Sequence, residues 1–174
     1  DKKFAGADTY ATGKTIAAAI KSKFPDFDLI ICGQFAIDGD TAQTGPTIAS
    51  NLGIPQVTYV KEIVECAETH LIVKKEIEEG TEILKVQLPA LICVLKNHEE
   101  ATRANINGII KAQDAKITVY SLDDTGLAPE DAGIKGSPTF VSKAFRPETK
   151  GQCLFVNSSD EIIKKLEEFD IING

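Results

Sequence analysis

Leu29-Ile30-Ile31-Cys32, then Gly33-Gln34-Phe35-Ala36-Ile37-Asp38-Gly39-Asp40-Thr41-Ala42-Gln43-Thr44-Gly45, then Pro46-Thr47-Ile48-Ala49-Ser50-Asn51-Leu52: this stretch decides the fold. Four apolar residues make a strand, the Gly/Asp/Thr/Gln run makes a loop, and a first-turn proline opens a helix that Gly53 closes. Strand, loop and helix in that order form a crossover unit of a parallel sheet. The loop then falls at the carboxyl end of the strand, where open α/β sheets bind their ligands. Unpaired N–H groups at a helix start attract phosphate. Asp38 and Asp40 repel it and suit ribose or adenine, or simply their own Asx turn. A nucleotide loop is the leading reading, and a self-contained turn is the other.

The pattern extends to both sides. Asp8 caps a helix running to about Phe24, with Ile16, Ile20 and Phe24 at i, i+4 and i+8, and Pro25 with Asp26 ends it. Thr44 is the expected cap of the second helix. Residues 56–64, 71–77 and 82–88 alternate or carry β-branched side chains, and Glu78-Glu79-Gly80 supplies a turn, so they read as antiparallel additions. Residues 90–95 are apolar without a break, as a strand buried on both faces must be, and 117–122 read as another. The expected class is α/β: a three-layer, mostly parallel, Rossmann-like sheet of the adenine-nucleotide-binding kind, with an antiparallel hairpin added. That domain spans 1–122. Residues 123–157, rich in Gly, Pro, Asp and Ser at their start, read as a linker. Residues 158–174 form an arm: Ser158 or Ser159 caps a helix with Ile162, Ile163, Leu166 and Phe169 on one side.

Composition narrows the function. The chain has 174 residues, 43% hydrophobic and 26% charged, enough for a globular domain with a real core. A net charge of −7 and a pI near 4.9 argue against non-specific nucleic-acid binding, which needs positive charge to displace phosphate counterions. No run approaches the ~20 apolar residues of a membrane span. Without an initiator Met or a signal-peptide pattern, Asp1-Lys2-Lys3-Phe4 reads as a start inside a longer protein. Cys32, Cys66, Cys93 and Cys153 show no C-x-x-C spacing and read as reduced thiols of a cytoplasmic protein. His70 and His98 have no nearby Cys or second His, so no metal site is expected.

One motif is a decoy. Gly13-Lys14-Thr15 resembles the end of a P-loop, but the required first glycine falls on Asp8 and no apolar strand precedes it. Lys14 reads as a solvated helix residue. No triad or acid/base pair is legible, and Cys32 has no basic neighbour to activate it.

The run Ala36-Ile37-Asp38-Gly39-Asp40-Thr41-Ala42-Gln43-Thr44-Gly45-Pro46 resembles the nucleotide-binding stretch of the electron transfer flavoprotein beta subunit. A second match follows at 73–93: basic residues, the Glu78-Glu79-Gly80 turn, a Glu-containing strand, then Pro89 and an apolar run. Phe4-Ala5-Gly6-Ala7-Asp8-Thr9 and Gly136-Ser137-Pro138-Thr139 are similar to two further family segments. The resemblance covers nearly the whole chain, while the family's N-terminal third has no counterpart. The chain is then a fragment, or another polypeptide supplies that part.

The resemblance implies an electron-carrier subunit rather than a stand-alone enzyme, with no catalytic side chain of its own. The flavin does the redox chemistry, and the protein binds and orients it. By resemblance the cofactor is FAD, with AMP as the alternative, held by Gln34, Phe35, Ala36, Ile37, Asp38, Gly39, Asp40, Thr41, Ala42, Gln43, Thr44 and Gly45, and by Ala5, Gly6, Asp8 and Thr9. Relatives combining this loop with a G-S-P-T segment tend to bifurcate electrons from NADH. One goes to ferredoxin or flavodoxin, the other through the alpha-subunit FAD to an acyl-CoA dehydrogenase-type flavoenzyme. That relation implies a heterodimer with an alpha subunit.

The chain departs from the family in two places. Relatives commonly read G-R-Q-A-I-D where this chain has Gly33-Gln34-Phe35-Ala36-Ile37-Asp38, without the basic residue. The partner-recognition stretch lacks the family's Pro and aromatic but keeps Ile106 as its apolar anchor, with Ile110, Lys111 and Ala112 following. Read from residues alone, the alternative function is a stand-alone adenine-nucleotide-binding sensor of related architecture. A flavin-free scaffold is the third reading.

Overall fold

The structure is a computed structural model that describes residues 1–96, 102–146, 154–169 and 171–172. His98, Cys153 and the head of the expected docking stretch (Glu99, Glu100, Ala101) lie outside the described residues. The chain divides into two compact units, Asp1–Phe140 and Val141–Gly174.

In the first unit, α1 (Thr9–Lys23), β1 (Leu29–Gly33) and α2 (Thr44–Leu52) follow the expected order. Then come β2 (Gln56–Cys66), β3 (His70–Ile77), β4 (Gly80–Gln87), β5 (Ala90–Val94) and α3 (Ile106–Asp114). The five strands form one sheet in the order β1-β5-β2-β3-β4. The α/β class holds, with a mixed sheet. β5 runs parallel to both β1 and β2, and β3 and β4 add antiparallel beyond them.

β5 sits between two parallel neighbours and is buried from Ala90 to Cys93, which explains its unbroken apolar run. Its alternate residues serve two cores. Leu91 and Cys93 pack with Ala17, Ile48 and Ala49 beneath the two helices. Ala90 and Ile92 join Val57, Val60, Leu71, Val73 and Val86 on the other face. Two glycines let the helical layer close. A β-carbon on Gly13 would lie 2.6 Å from Thr47 Cγ2, and one on Gly45 would lie 2.5 Å from Cys93 Sγ. Gly13 is therefore a helix-crossing residue, consistent with rejecting the P-loop.

Residues 117–122 correct the sequence reading. Among the described residues they pair with no strand. Ile117 and Val119 are 88% and 82% exposed, while Leu122 is buried and opens a 3-10 turn, Leu122–Asp124. Apolar alternation alone cannot make a strand without a neighbour offering free N–H and C=O groups. The stretch from 123 to 140, expected as linker, lies along α1. Lys23 Nζ pairs with Asp124 at 3.2 Å, and Ser22 Oγ donates to the Asp124 carbonyl at 2.8 Å. Lys14, read as solvated, pairs with Asp131 at 2.6 Å.

In the second unit, α4 (Ser159–Glu168) starts at the expected place. Ser158 is its cap, accepting from the Glu161 N–H at 3.3 Å. Ile162, Ile163 and Phe169 are exposed and Leu166 is partly buried. Among the described residues no helix is long and apolar enough to cross a membrane.

Candidate functional site

β1 and β5 end together, and the loop leaving β1 returns to α2 at that carboxyl edge. The loop stands largely in solvent: Gln34 and Ala42 are partly buried, and residues 35–41 are exposed. Ile37 is 98% exposed and Phe35 50%. The loop is nonetheless shaped. The Asp40 N–H donates to the Ala36 carbonyl at 2.8 Å, and Asp40 (φ 48°) and Ala42 (φ 52°) both occupy the left-handed region. Non-glycine residues adopt that region at a cost, and where they do, a binding or switching segment is a common reason.

The start of α2 departs from the expectation that Thr44 caps it. Thr44 is the first helical residue and Gln43 occupies the cap position, without a side-chain bond to its own helix. The reason is local. The Gln43 backbone is already helical (φ −103°, ψ −20°), which is not the extended conformation of a bonded cap, and its Oε1 accepts from Thr9 Oγ1 at 3.2 Å on the α1 side. Among the described residues no side-chain hydrogen bond caps the first-turn N–H groups of Thr44 and Gly45.

At the start of α1 the reverse holds. The Asp8 carboxylate accepts from the Ala11 N–H at 2.9 Å, from the Thr139 N–H at 3.1 Å and from Thr139 Oγ1 at 2.8 Å. The Asp8 N–H donates to Ser137 Oγ at 2.8 Å, and that hydroxyl donates to the Gly133 carbonyl at 2.8 Å. Partial burial disfavours the charge, but the Ala11 and Thr139 bonds outweigh it, so the Asp8 carboxyl lies below its ordinary value of 3.8. Gly6, at φ 73°, turns the preceding segment against Ile134, and Ala5 is exposed beside it.

Thr9 and Gln43, named separately from sequence, are thus brought into contact, and Asp8 stands at the same helix end. Ser137 and Thr139 are the residues that sequence reasoning left out of the site. Their signal was the Gly136-Ser137-Pro138-Thr139 segment itself, but nothing in the spacing tied it to a residue 129 positions earlier. Cys32 and Cys93 are register partners beneath the turn at Gly45. Desolvation raises both thiols, Cys93 to about 11 with Cys32 adding to it, so both stay protonated at neutral pH. Among the described residues no group of three or more His, Cys, Asp or Glu could hold a metal ion.

The expected docking residues fall on α3. Asn105 caps it, its Oδ1 accepting from the Gly108 N–H at 2.8 Å. None of its residues is buried, and Ile106 is 76% exposed. Ile110, Lys111 and Ala112 are exposed as well, Ile110 to 52%.

Comparison with known proteins places the chain in a family. The family model for the electron transfer flavoprotein domain matches residues 1–125. The caffeyl-CoA reductase-Etf complex subunit CarD of Acetobacterium woodii is 39% identical over 178 residues, covering 99% of this chain and 67% of that protein. The electron transfer flavoprotein subunit beta of Thermoanaerobacterium thermosaccharolyticum is 42% identical, covering 97% of this chain and 64% of its own length. The acryloyl-CoA reductase electron transfer subunit gamma of Anaerotignum propionicum is 38% identical, covering 96% and 64%. The chain thus spans about two thirds of the length of these relatives. With the family model over its first 125 residues and beta-subunit similarity along nearly all of it, the chain belongs to the electron transfer flavoprotein family.

Proposed function

We propose that this chain is the beta-subunit part of a cytoplasmic electron transfer flavoprotein and that loop 34–45 holds the adenine-nucleotide end of FAD, with AMP as the alternative. The observation that carries the reading is the uncapped start of α2 at the carboxyl edge of the sheet. The donor set fits the group. The Thr44 and Gly45 amides, with the helix dipole behind them, suit phosphate charge where Gln34 stands in place of a cation. Thr41, Gln43 and Thr9 offer hydroxyl and amide partners for a ribose. Asp38 and Asp40 can accept from hydroxyls or the adenine amine, and Phe35 is a half-exposed aromatic side chain beside them in sequence.

When bound, a flavin supplies the electron-transfer chemistry, and the chain's part is to hold and orient it. The names of the relatives support a complex: one belongs to an Etf complex, another is the electron transfer subunit of a reductase. On this reading the chain pairs with an alpha subunit and passes electrons between NADH or a dehydrogenase and an acceptor. FAD with bifurcation toward ferredoxin or flavodoxin is favoured over AMP by the loop occurring together with Gly136–Thr139. An acyl-CoA dehydrogenase-type partner would meet Ile106, Ile110, Lys111 and Ala112.

The test is the nucleotide released on denaturing the purified full-length protein with its partner. FAD or AMP is expected, and Thr41→Ala with Gln43→Ala should weaken its binding by ~1–3 kcal/mol, the range for buried hydrogen bonds left unmade. Full occupancy in the double variant would sink the assignment. A colourless homodimer carrying ATP or AMP would instead favour the sensor.

A further inference from the structure

We propose that Asp8 is a positioning residue that latches the Gly136–Thr139 segment across the start of α1 and thereby fixes the nucleotide-binding loop, without touching the nucleotide itself. The inference rests on the nucleotide reading of that loop. Its first support is a count of donors and acceptors. One Asp8 oxygen takes the Ala11 N–H, and the other takes both the N–H and the hydroxyl of Thr139. A carboxylate so engaged has little left for a ribose hydroxyl. The Asp8 N–H is used as well, by Ser137 Oγ, which in turn is anchored on the Gly133 carbonyl.

The second support is position. Residues 122–139 are held along α1 by Ser22 and Lys23 at Asp124 and by Lys14 at Asp131. The Asp8 bonds come after these, immediately before the first compact unit ends at Phe140. Releasing them frees only the last few residues of that path, leaving its ion pairs intact.

The third support is the route from latch to loop. Thr9, next to Asp8, donates its hydroxyl to Gln43, the residue that leads into α2. Behind it α1 and α2 touch at Gly13 and Thr47 so closely that a β-carbon would not fit. The first turn of α1 therefore sets where Gln43 stands, and Gln43 ends the strained segment containing Asp40 and Ala42. A first turn held by Asp8 on one side and by Ser137 and Thr139 on the other presents Thr9 in one place.

The experiment compares wild type, Thr139→Ser, and Ser137→Ala/Thr139→Val in the purified full-length protein, with AMP and FAD as probes. Amide hydrogen exchange is read on nucleotide-free protein, and affinity by titration. In the double variant, exchange of residues 36–43 should rise and affinity for the nucleotide should fall about fivefold, the scale of one net hydrogen bond. The melting temperature should change little, because the ion pairs to Asp124 and Asp131 remain. Thr139→Ser, which keeps the hydroxyl, should behave as wild type. Exchange that rises only at residues 136–142, with 36–43 unmoved, overturns the latch. So does a loosened loop with unchanged affinity in a wild type that binds. If neither nucleotide binds wild type yet residues 36–43 still loosen in the double variant, the latch stands and the nucleotide reading falls.

Discussion

The two helices that meet at the candidate site start in opposite ways. α1 begins under a carboxylate that fills its first turn and reaches to Thr139, whereas α2 begins with a glutamine that makes no side-chain bond to its own helix. α3 and α4 resemble α1, with Asn105 and Ser158 as side-chain caps. A helix start without a side-chain cap forgoes roughly 1 kcal/mol. Here that loss falls at the sheet edge where the strained loop arrives. On the proposed reading the two starts differ in role: α1 is tied down by its cap, and α2 is where the nucleotide's phosphate would sit.

The sharpest way to break the contrast is to push the two helices apart. Gly13→Val would place its β-carbon 2.6–2.7 Å from Thr47 side-chain atoms. We expect ~1–3 kcal/mol of destabilisation from overpacking, read as a lower midpoint in urea unfolding. Nucleotide affinity should fall with it, since Thr9 and Gln43 would no longer meet. An unchanged midpoint would show that α1 and α2 are not rigidly coupled.

Next in size is Asp8→Ala, which removes the cap of α1. The expected cost is about 1 kcal/mol. Its pH dependence carries the sign. Because the folded carboxyl sits below its ordinary value of 3.8, the Asp8 contribution is present above that pH and is lost as pH falls through the lower folded value. The difference between wild type and Asp8→Ala should therefore be constant near neutrality and shrink below about pH 4. A constant difference down to acid pH would mean that the neutral carboxyl caps as well as the ion.

Gln43→Asp sharpens the contrast from the other side. The backbone at 43 is helical (φ −103°, ψ −20°), so a short acidic side chain there acts through its charge against the α2 dipole rather than as a bonded cap. Stability should rise by about 0.5 kcal/mol from the dipole interaction. Affinity for AMP or FAD should drop at least tenfold, because the carboxylate occupies and repels where a phosphate would bind. Opposite signs in thermal unfolding and titration are the result expected. A gain in both would place the phosphate elsewhere.

These contrasts were only partly legible in the sequence. The strand–loop–helix unit was, because four apolar residues, a Gly/Asp/Thr/Gln loop, Pro46 and Gly53 are all local signals. β5 was too, since burial on both faces leaves a continuous apolar run. What failed depended on distant neighbours. Residues 117–122 alternate like a strand, yet a ladder requires a partner that alternation does not supply. Thr44 is an ordinary capping residue, but helical backbone already begins at Gln43, which local composition does not reveal. Lys14 looked solvated because Asp131, its partner, lies 117 residues away. The latch at Asp8 was hidden for the same reason.

The smallest effect on stability tests α3, whose start is capped as α1 is but whose apolar residues face solvent. Ile106 is its first residue and 76% exposed, so replacing it removes almost no buried surface. Ile106→Asp also adds an acidic group to a first turn that has none, which the helix dipole favours. The two terms leave the unfolding midpoint within about 0.5 kcal/mol of wild type. If α3 docks a redox partner, that exposed isoleucine is buried on binding, and a charge in its place must be desolvated against an apolar surface. Electron transfer to the partner should then slow by tenfold or more while bound nucleotide stays the same. Unaltered transfer would remove α3 from the docking surface. A large fall in stability would mean that Ile106 belongs to a packed core, against its exposure, and that the likeness between the starts of α1 and α3 is more than a shared cap.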